Sequence, residues 1–525
     1  MTPYSGPWTK AEAAHLLRRT VFGATNQQII AAVVDGMENT VTSLLQIPPT
    51  SPPLAYHPGE TIVAQGSTWV NSVYPSNQAE NQECESARSR SLAAWTNKNI
   101  NQENGSIAEK LVFFWQNHFG VTGDTTESRA MYHFLMLLRE SSLGNFKQLV
   151  KDVTIDPSML LFLNGSSNTV YSPNENYSRE LLELFSVGKG DQIATGDYSH
   201  YTEDDVAAGA KILTAYVVTG IRSDSLTQVE VSFNPILHDN SSKQLSYHFN
   251  GQIINANDAQ EYSDFIDVIF NQSQVATFIC SKLYRYFVNY DLNAFVMSDI
   301  IPSMALTLTS NNYEILPVLH QLFTSEHFYD LSIRGAIIRN PYEMIYGILN
   351  ATGTTPNFGL AVNSDIYLNI YYFASTMGQD YARPPSVSGW TAYYQAPAFS
   401  KLWINSTYIK KRFDFIGAML FTGVTFGANN FSLNILGFLD GLSIPDNASV
   451  VVDDICTIFF PKDINTADKL YLKGILTNGL PDFEWTDQYN AYISDPTNMV
   501  VSDPVKIRMR FVLNTVFKMP QYETI

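Results

Sequence analysis

Charge is scarce in this sequence, and positive charge most of all. Charged residues make up 16% of the 525, with 32 Lys and Arg against 50 Asp and Glu, a formal balance of −18. A field of that sign repels nucleic-acid phosphates and anionic lipid, which argues against either as a partner. Cysteine is nearly absent. Cys84, Cys280 and Cys456 are odd in number and far apart, make no CxxC pair and allow one disulfide at most. Cys280, inside an apolar helical run, reads as a buried thiol. No apolar run approaches the roughly 18 residues of a membrane span. Residues 1 to 20 lack the basic start and apolar stretch of an export signal, a beginning that fits a processed chain and a cytoplasmic one equally. The GxSxG elbow, Walker A, GxGxxG and EF-hand patterns are missing too. Their absence argues against a familiar serine hydrolase, a nucleotide enzyme and a calcium sensor.

What is present is a large apolar complement, 45% of the chain, rich in Tyr (29) and Phe (31). That suffices for a sizeable core. A surface short of charge must be covered by Asn, Gln, Ser, Thr and Tyr, a pattern common in exported and sugar-handling proteins. Length alone would allow two domains, yet no Pro/Ser/Gly linker divides the chain. The expectation is one large, mainly α, multi-helical domain over residues 1–525.

Helix punctuation is frequent. Thr9 and Glu12 make a capping box, with Gly23 as the stop; Ser106 and Glu109 make another, as do Thr202 and Asp205. A further helix is expected over about 27–45. Residues 47–90 are Pro-rich and then polar without period, and are read as an irregular surface excursion. Within 106–119, Ile107, Leu111, Phe114 and His118 share a face, so His118 should point inward. Residues 228–253 switch to alternation and predict a β-hairpin insertion. Helical pattern returns after it and continues to the end.

The densest signal is 172–188, SPNENYSRELLELFSVG. Ser172 reads as N-cap, Pro173 as first helical residue and Glu175 as the capping-box partner, with Gly188 as the stop. Wound at the α-helical period, Asn176, Arg179, Glu180 and Glu183 form one polar stripe on an otherwise apolar rod, expected to face an internal cavity. Glu180 and Glu183 could divide acid and base roles or hold a divalent cation. Alternatively Arg179, their neighbour, pairs with them and the network only fixes helix packing.

His238 and Asp239 lie between strand candidates, where loops carry function, although Asp239 could equally cap a turn. With Glu180 and Glu183 they complete the catalytic candidates. His118, His238 and Glu183 are the metal candidates, a set suited to Zn²⁺, Mn²⁺ or Fe²⁺ but without HExxH-type spacing. No motif demands a cofactor. Asn176, Arg179 and Lys243 could bind substrate, and Trp390 and Trp403, on or near a Pro/Gly-stiffened loop, could stack a sugar ring or plug a groove.

Several blocks carry, in order, a resemblance to a large, mainly bacterial family known as domain of unknown function 1800. They read AHLLRRTVFGAT (14–25), LVFFWQNHF (111–119), NENYSRELLELFSVG (174–188), FNPILHD (233–239), VATFICSKLYRYFV (275–288), MGQDYARPPSVSGW (377–390) and LWINSTYIKKR (402–412). Two departures stand out. Asn240, Ser241 and Ser242 intervene before Lys243 where glycine is usual, and Ala215-Tyr216 replaces an expected Gly-Trp. The resemblance implies a helical single-domain fold, export to an extracellular or periplasmic location, and a sulfatase-like exported partner encoded nearby. It implies no reaction. Three expectations follow: a polysaccharide-acting hydrolase or lyase using Glu180 and Glu183, a non-catalytic glycan-binding or scaffold protein with a structural charged core, and a metal-dependent hydrolase.

Overall fold

In the computed structural model, which describes residues 1–102 and 105–525, helices account for most of the chain. Among the described residues the strands form four separate two-stranded pairs. One contiguous apolar core runs from Ala13 to Tyr522. No helix among the described residues is long and apolar enough to cross a membrane.

The Ala108–Phe119 helix lies at the centre and is buried at every position but Asn117. Such a helix needs partners on all sides. The Ser128–Glu140 helix folds back on it, and the Gln274–Phe287 helix reaches it through the Tyr286 hydroxyl, 3.0 Å from the Lys110 carbonyl. Its expected capping box does not form. The cap residue is Ile107, and Glu109 turns instead to Arg139 on the Ser128–Glu140 helix, since a buried guanidinium needs a carboxylate more than a helix end does. The boxes at Thr9/Glu12 and Thr202/Asp205 form as read. The helix expected over 27–45 is broken by Gly36 (φ +80°) into Asn26–Asp35 and Met37–Leu44.

The surface excursion is shorter than its composition suggests. A helix spans Gln78–Gln102 and packs lengthwise on the Leu360–Thr376 helix. It buries Glu85, Arg88, Ser91, Thr96, Asn97, Asn99 and Asn101 beside its few apolar residues. Polar residues on the inner face erase the hydrophobic period that would have revealed it.

The β insertion also differs. Strand Glu230–Phe233 pairs antiparallel with Tyr216–Thr219, upstream of the expected hairpin, and Lys243–Gln244 pairs with Ile253–Ile254. QVEVSF and QLSYHF therefore belong to different sheets. The earlier partner begins in a run that reads as the end of a helix, so alternation after residue 228 could not disclose it.

The 172–188 helix starts late and changes pitch. Ser172 sits in an extended bridge with Thr169, and Asn174, not Ser172, accepts the first amide, that of Asn176, at 3.0 Å. The α-helical turn Asn176–Glu180 then widens into a π-helical segment, Leu181–Ser186. Gly188 (φ +76°) closes it with a bond from its amide to the Leu182 carbonyl, 3.0 Å. The Glu203–Ile212 helix crosses so closely at Gly209 that an added Cβ would lie 2.2 Å from Ser178 Oγ.

Candidate functional site

The ionisable groups singled out in the sequence resolve into three separate clusters. On the 176–186 segment the polar stripe faces outward, not into a cavity. Asn176 is exposed and Arg179, Glu180 and Glu183 are half-buried. The π turn advances each residue by less than an α turn does, and the segment's apolar residues, Tyr177, Leu181, Leu182 and Phe185, claim the interior. Arg179 does not pair with Glu180 or Glu183. It grips both oxygens of Glu203 at 2.8 Å each and reaches Glu175 at 3.0 Å. Glu183 accepts from the Tyr201 hydroxyl at 3.0 Å and pairs with Lys189 at 3.3 Å. Burial, and then the charge of Glu183, hold the Glu180 carboxyl above its usual range.

His118 is buried as expected, but its partners are backbone and lysine. Its Nε2 lies 3.2 Å from the Phe185 carbonyl and its Nδ1 accepts from Lys282 Nζ at 3.1 Å. Lys282 also donates to the Leu184 carbonyl at 2.8 Å. Burial lowers the His118 pKa well below its usual value, with Lys282 adding to the effect. A neutral imidazole bonded at both nitrogens has no lone pair left for a metal.

His238 and Lys243 meet on a residue the sequence reading missed, Glu261. His238 Nε2 is 3.0 Å from one carboxylate oxygen and Lys243 Nζ is 2.6 Å from the other, with all three side chains buried. Thr214 Oγ1 occupies His238 Nδ1 at 2.9 Å. Asp239 caps a turn, accepting from the Ser241 amide and hydroxyl at 2.9 and 2.5 Å. Twenty-odd residues and an irregular loop separate Glu261 from His238, and no spacing rule links them. His118, His238 and Glu183 thus do not converge, and no group of three or more His, Cys, Asp or Glu suited to a metal occurs among the described residues.

Trp390 and Trp403 are walls rather than platforms. They are 3% and 4% exposed and pack with Ala392, Tyr393 and Ile338 into a small second core. Gly389 (φ +82°) lets the loop press onto Asn117, whose Oδ1 accepts from the Trp390 amide at 2.9 Å; a Cβ there would meet that oxygen at 2.2 Å.

That loop leads back to a cleft that the composition of 47–90 concealed. About 430 Å³ of space opens between the Gln78–Gln102 and Leu360–Thr376 helices, the start of the Ser128–Glu140 helix and residues 381–383. Its volume is within the ordinary range for small-molecule sites, about 300–1,000 Å³. The floor is a buried polar network. Glu85 accepts from the Tyr74 hydroxyl (2.5 Å) and from the Ser128 amide and hydroxyl (3.1 and 2.8 Å). Arg129 pairs with Glu127 at 3.1 Å and Arg88 with Glu60 at 2.6 Å, and the two guanidinium carbons flank the Tyr74 ring at 4.8 and 4.1 Å. Burial raises the Glu85 carboxyl above its usual range, the Tyr74 and Ser128 bonds oppose this, and Glu127 adds to it. The rim is different: Tyr372 is 48% exposed, Arg90 is exposed and unpaired among the described residues, and Arg383 makes only a 3.5 Å contact with Asp124 and a 3.3 Å bond to Ser89.

Fold and site together define a mainly helical protein in which most buried charges are paired internally and a polar cleft opens between two long helices. The chain belongs to the family described as Protein of unknown function (DUF1800), whose model matches residues 15–524. No curated protein and no solved structure matches it.

Proposed function

We propose that this is a glycan-binding protein, exported as its family resemblance implies, with its charged core serving the fold. One observation carries the reading: the 430 Å³ cleft sets an exposed aromatic ring, Tyr372, beside Arg90, unpaired among the described residues, and the weakly held Arg383 over a hydrogen-bonded floor. A ring face and amide and hydroxyl groups suit a sugar, and free guanidinium groups suit uronate or sulfate substituents on it. In a chain of net charge −18, such arginines stand out from their surroundings. The test is calorimetric titration with neutral, uronate-bearing and sulfated oligosaccharides. Binding by an acidic glycan, weakened about tenfold or more in Tyr372→Ala and in Arg383→Ala at unchanged melting temperature, supports it. Failure of every glycan class to bind, or full affinity in both variants, removes it. Export is checked by fractionating cells of the source organism.

A second reading, a polysaccharide hydrolase or lyase, is favoured by Glu180 and Glu183. Burial, and then the charge of Glu183, hold the Glu180 carboxyl above its usual range, as suits a general acid. On that reading Glu183→Gln keeps the fold and abolishes turnover of any polysaccharide the wild type cleaves; equal turnover discards it. A metal-dependent hydrolase would need ligands other than His118, His238 and Glu183.

A further inference from the structure

A second cavity, about 720 Å³, lies between the first helix, Lys10–Thr20, and the end of the Ala448–Phe459 helix with the loop after it. Its charges can be counted pair by pair. Glu12 is taken by Arg334 at 3.0 Å, Asp453 and Asp463 by Lys469 at 2.9 and 2.7 Å, and the adjacent Asp454 by Lys10 at 2.9 Å. Two cations on the wall are left over, Arg18 and Lys462, neither with a carboxylate partner among the described residues.

Arg18 is the more telling. It is 7% exposed, and its Nη2 caps the Ala448–Phe459 helix, donating to the Thr457 and Ile458 carbonyls at 2.8 and 3.3 Å. Its Nε makes no hydrogen bond but is closed off from solvent, whereas Nη1 makes none among the described residues and is not closed off, so it is the nitrogen a ligand in the cavity can reach. A guanidinium buried over nine-tenths of its residue, with Nη1 open and unpartnered and no carboxylate to balance its charge among the described residues, is a ready donor to an anion. Burial, and then the charges of Arg339, Arg19 and Arg334, hold its pKa well below the usual value. An anion would relieve that field. Cys456 also faces the cavity, but burial pushes its thiol up to about 12, so it is wall and not nucleophile.

We propose that this cavity binds a small molecule through a tetrahedral oxyanion, a sulfate or phosphate, held by Arg18 from below and Lys462 from the rim. A planar fork and a mobile ammonium together suit such a group. The site is separate from the cleft assigned to glycan, and neither claim depends on the other.

The experiment is thermal shift and calorimetry on the full chain with four probes: inorganic sulfate, inorganic phosphate, glucose 6-sulfate and glucose 6-phosphate. Saturable binding with a Kd of about 1 mM or tighter is expected for at least one, with a concentration-dependent rise in melting temperature. Affinity for an ester at least tenfold above that of its inorganic ion assigns the site to the ester; equal affinities assign it to the free ion. Lys462→Ala, on the exposed rim, should weaken binding about threefold or more, and Lys462→Glu should abolish it. Arg18→Met should abolish it as well. If that variant does not fold, the Lys462 pair decides. No binding by any probe at 10 mM on the order of tenfold above the expected Kd, or unchanged affinity in both Lys462 variants, overturns the proposal. So does loss of oxyanion binding in Tyr372→Ala, which would place the ligand in the other cleft.

Discussion

Arg179 reaches away from the glutamates that follow it on its own helix and holds Glu203, the first residue of the Glu203–Ile212 helix, with both terminal nitrogens at 2.8 Å. The pairing ties the α-helical turn Asn176–Glu180 to its neighbour and leaves Glu183 to Tyr201 and Lys189. Because Arg179 and Glu203 side chains are 32% and 38% exposed, solvent screens the pair. Arg179→Met should therefore cost only about 1 kcal/mol, the upper end for exposed pairs with two-pronged geometry. Thermal melts of Arg179→Met, Glu203→Gln and the double variant measure it; a loss several times larger would mean that Arg179 does more than pair.

The Glu261 cluster should behave in the opposite way. Lys243 and Glu261 are both almost wholly buried and 2.6 Å apart. Glu261→Gln leaves an ammonium in the core with no carboxylate to balance its charge, and should cost about 3–5 kcal/mol. Adding Lys243→Met to that variant removes the stranded charge and should restore at least half of the loss. Urea unfolding is the measurement. A single-variant loss under about 1 kcal/mol would show that the cluster is hydrated rather than dry.

These two cases show what sequence can and cannot carry. Local rules were readable: Thr9 with Glu12 and Thr202 with Asp205 cap as their spacing says, and Gly188 ends its helix. Helical type, the central apolar runs and the inward direction of His118 follow from period alone. Partner choice across sequence distance did not. Nothing local says that Arg179 prefers Glu203 to Glu180, that Glu109 leaves its capping box for Arg139, or that His238 and Lys243 share Glu261. A π turn has no signature in these residues, and the stripe faces outward because Tyr177, Leu181, Leu182 and Phe185 take the interior. The Gln78–Gln102 helix, and with it the cleft floor at Glu85, was hidden because polar residues occupy its inner face.

Lys282 should make stability depend on pH. Although half-buried as a residue, it places its ammonium against the Leu184 carbonyl, His118 and the Phe278 ring, and burial, with Arg285 second, lowers its pKa to about 7. The unfolded chain holds that proton up to about pH 10.4, so between these values the unfolded state binds more protons. Lys282 therefore contributes stability that is fully present above the unfolded value and is lost as pH falls toward about 7. Lys282→Met removes this slope. The stability of wild type relative to the variant should rise by about 2 kcal/mol from pH 7 to pH 9. A constant difference across that range would mean that the ammonium is hydrated.

The departure at Ala215 offers a test of backbone strain. Where the family pattern leads one to expect glycine, this chain has alanine, and its φ is +85°. The backbone is held there from both sides, the Ala215 amide donating to the Asn168 carbonyl at 2.9 Å and its carbonyl accepting from the Asn234 amide at 3.0 Å. That leaves no freedom to relax toward negative φ. A non-glycine residue in this region costs about 1–2 kcal/mol. Ala215→Gly recovers it, but gives up a buried methyl, about 0.8 kcal/mol, and adds unfolded-chain entropy, about 0.4–1 kcal/mol. The variant should thus be neutral to within about 1 kcal/mol, although an unstrained buried alanine would lose clearly more. Ala215→Val is the sensitive counterpart. A β-branched side chain at this φ has no unstrained conformation, and the residue is only 1% exposed, so the loss should exceed about 2 kcal/mol. Urea unfolding of the two variants side by side decides it: if Gly costs as much as Val, the methyl matters and the strain does not.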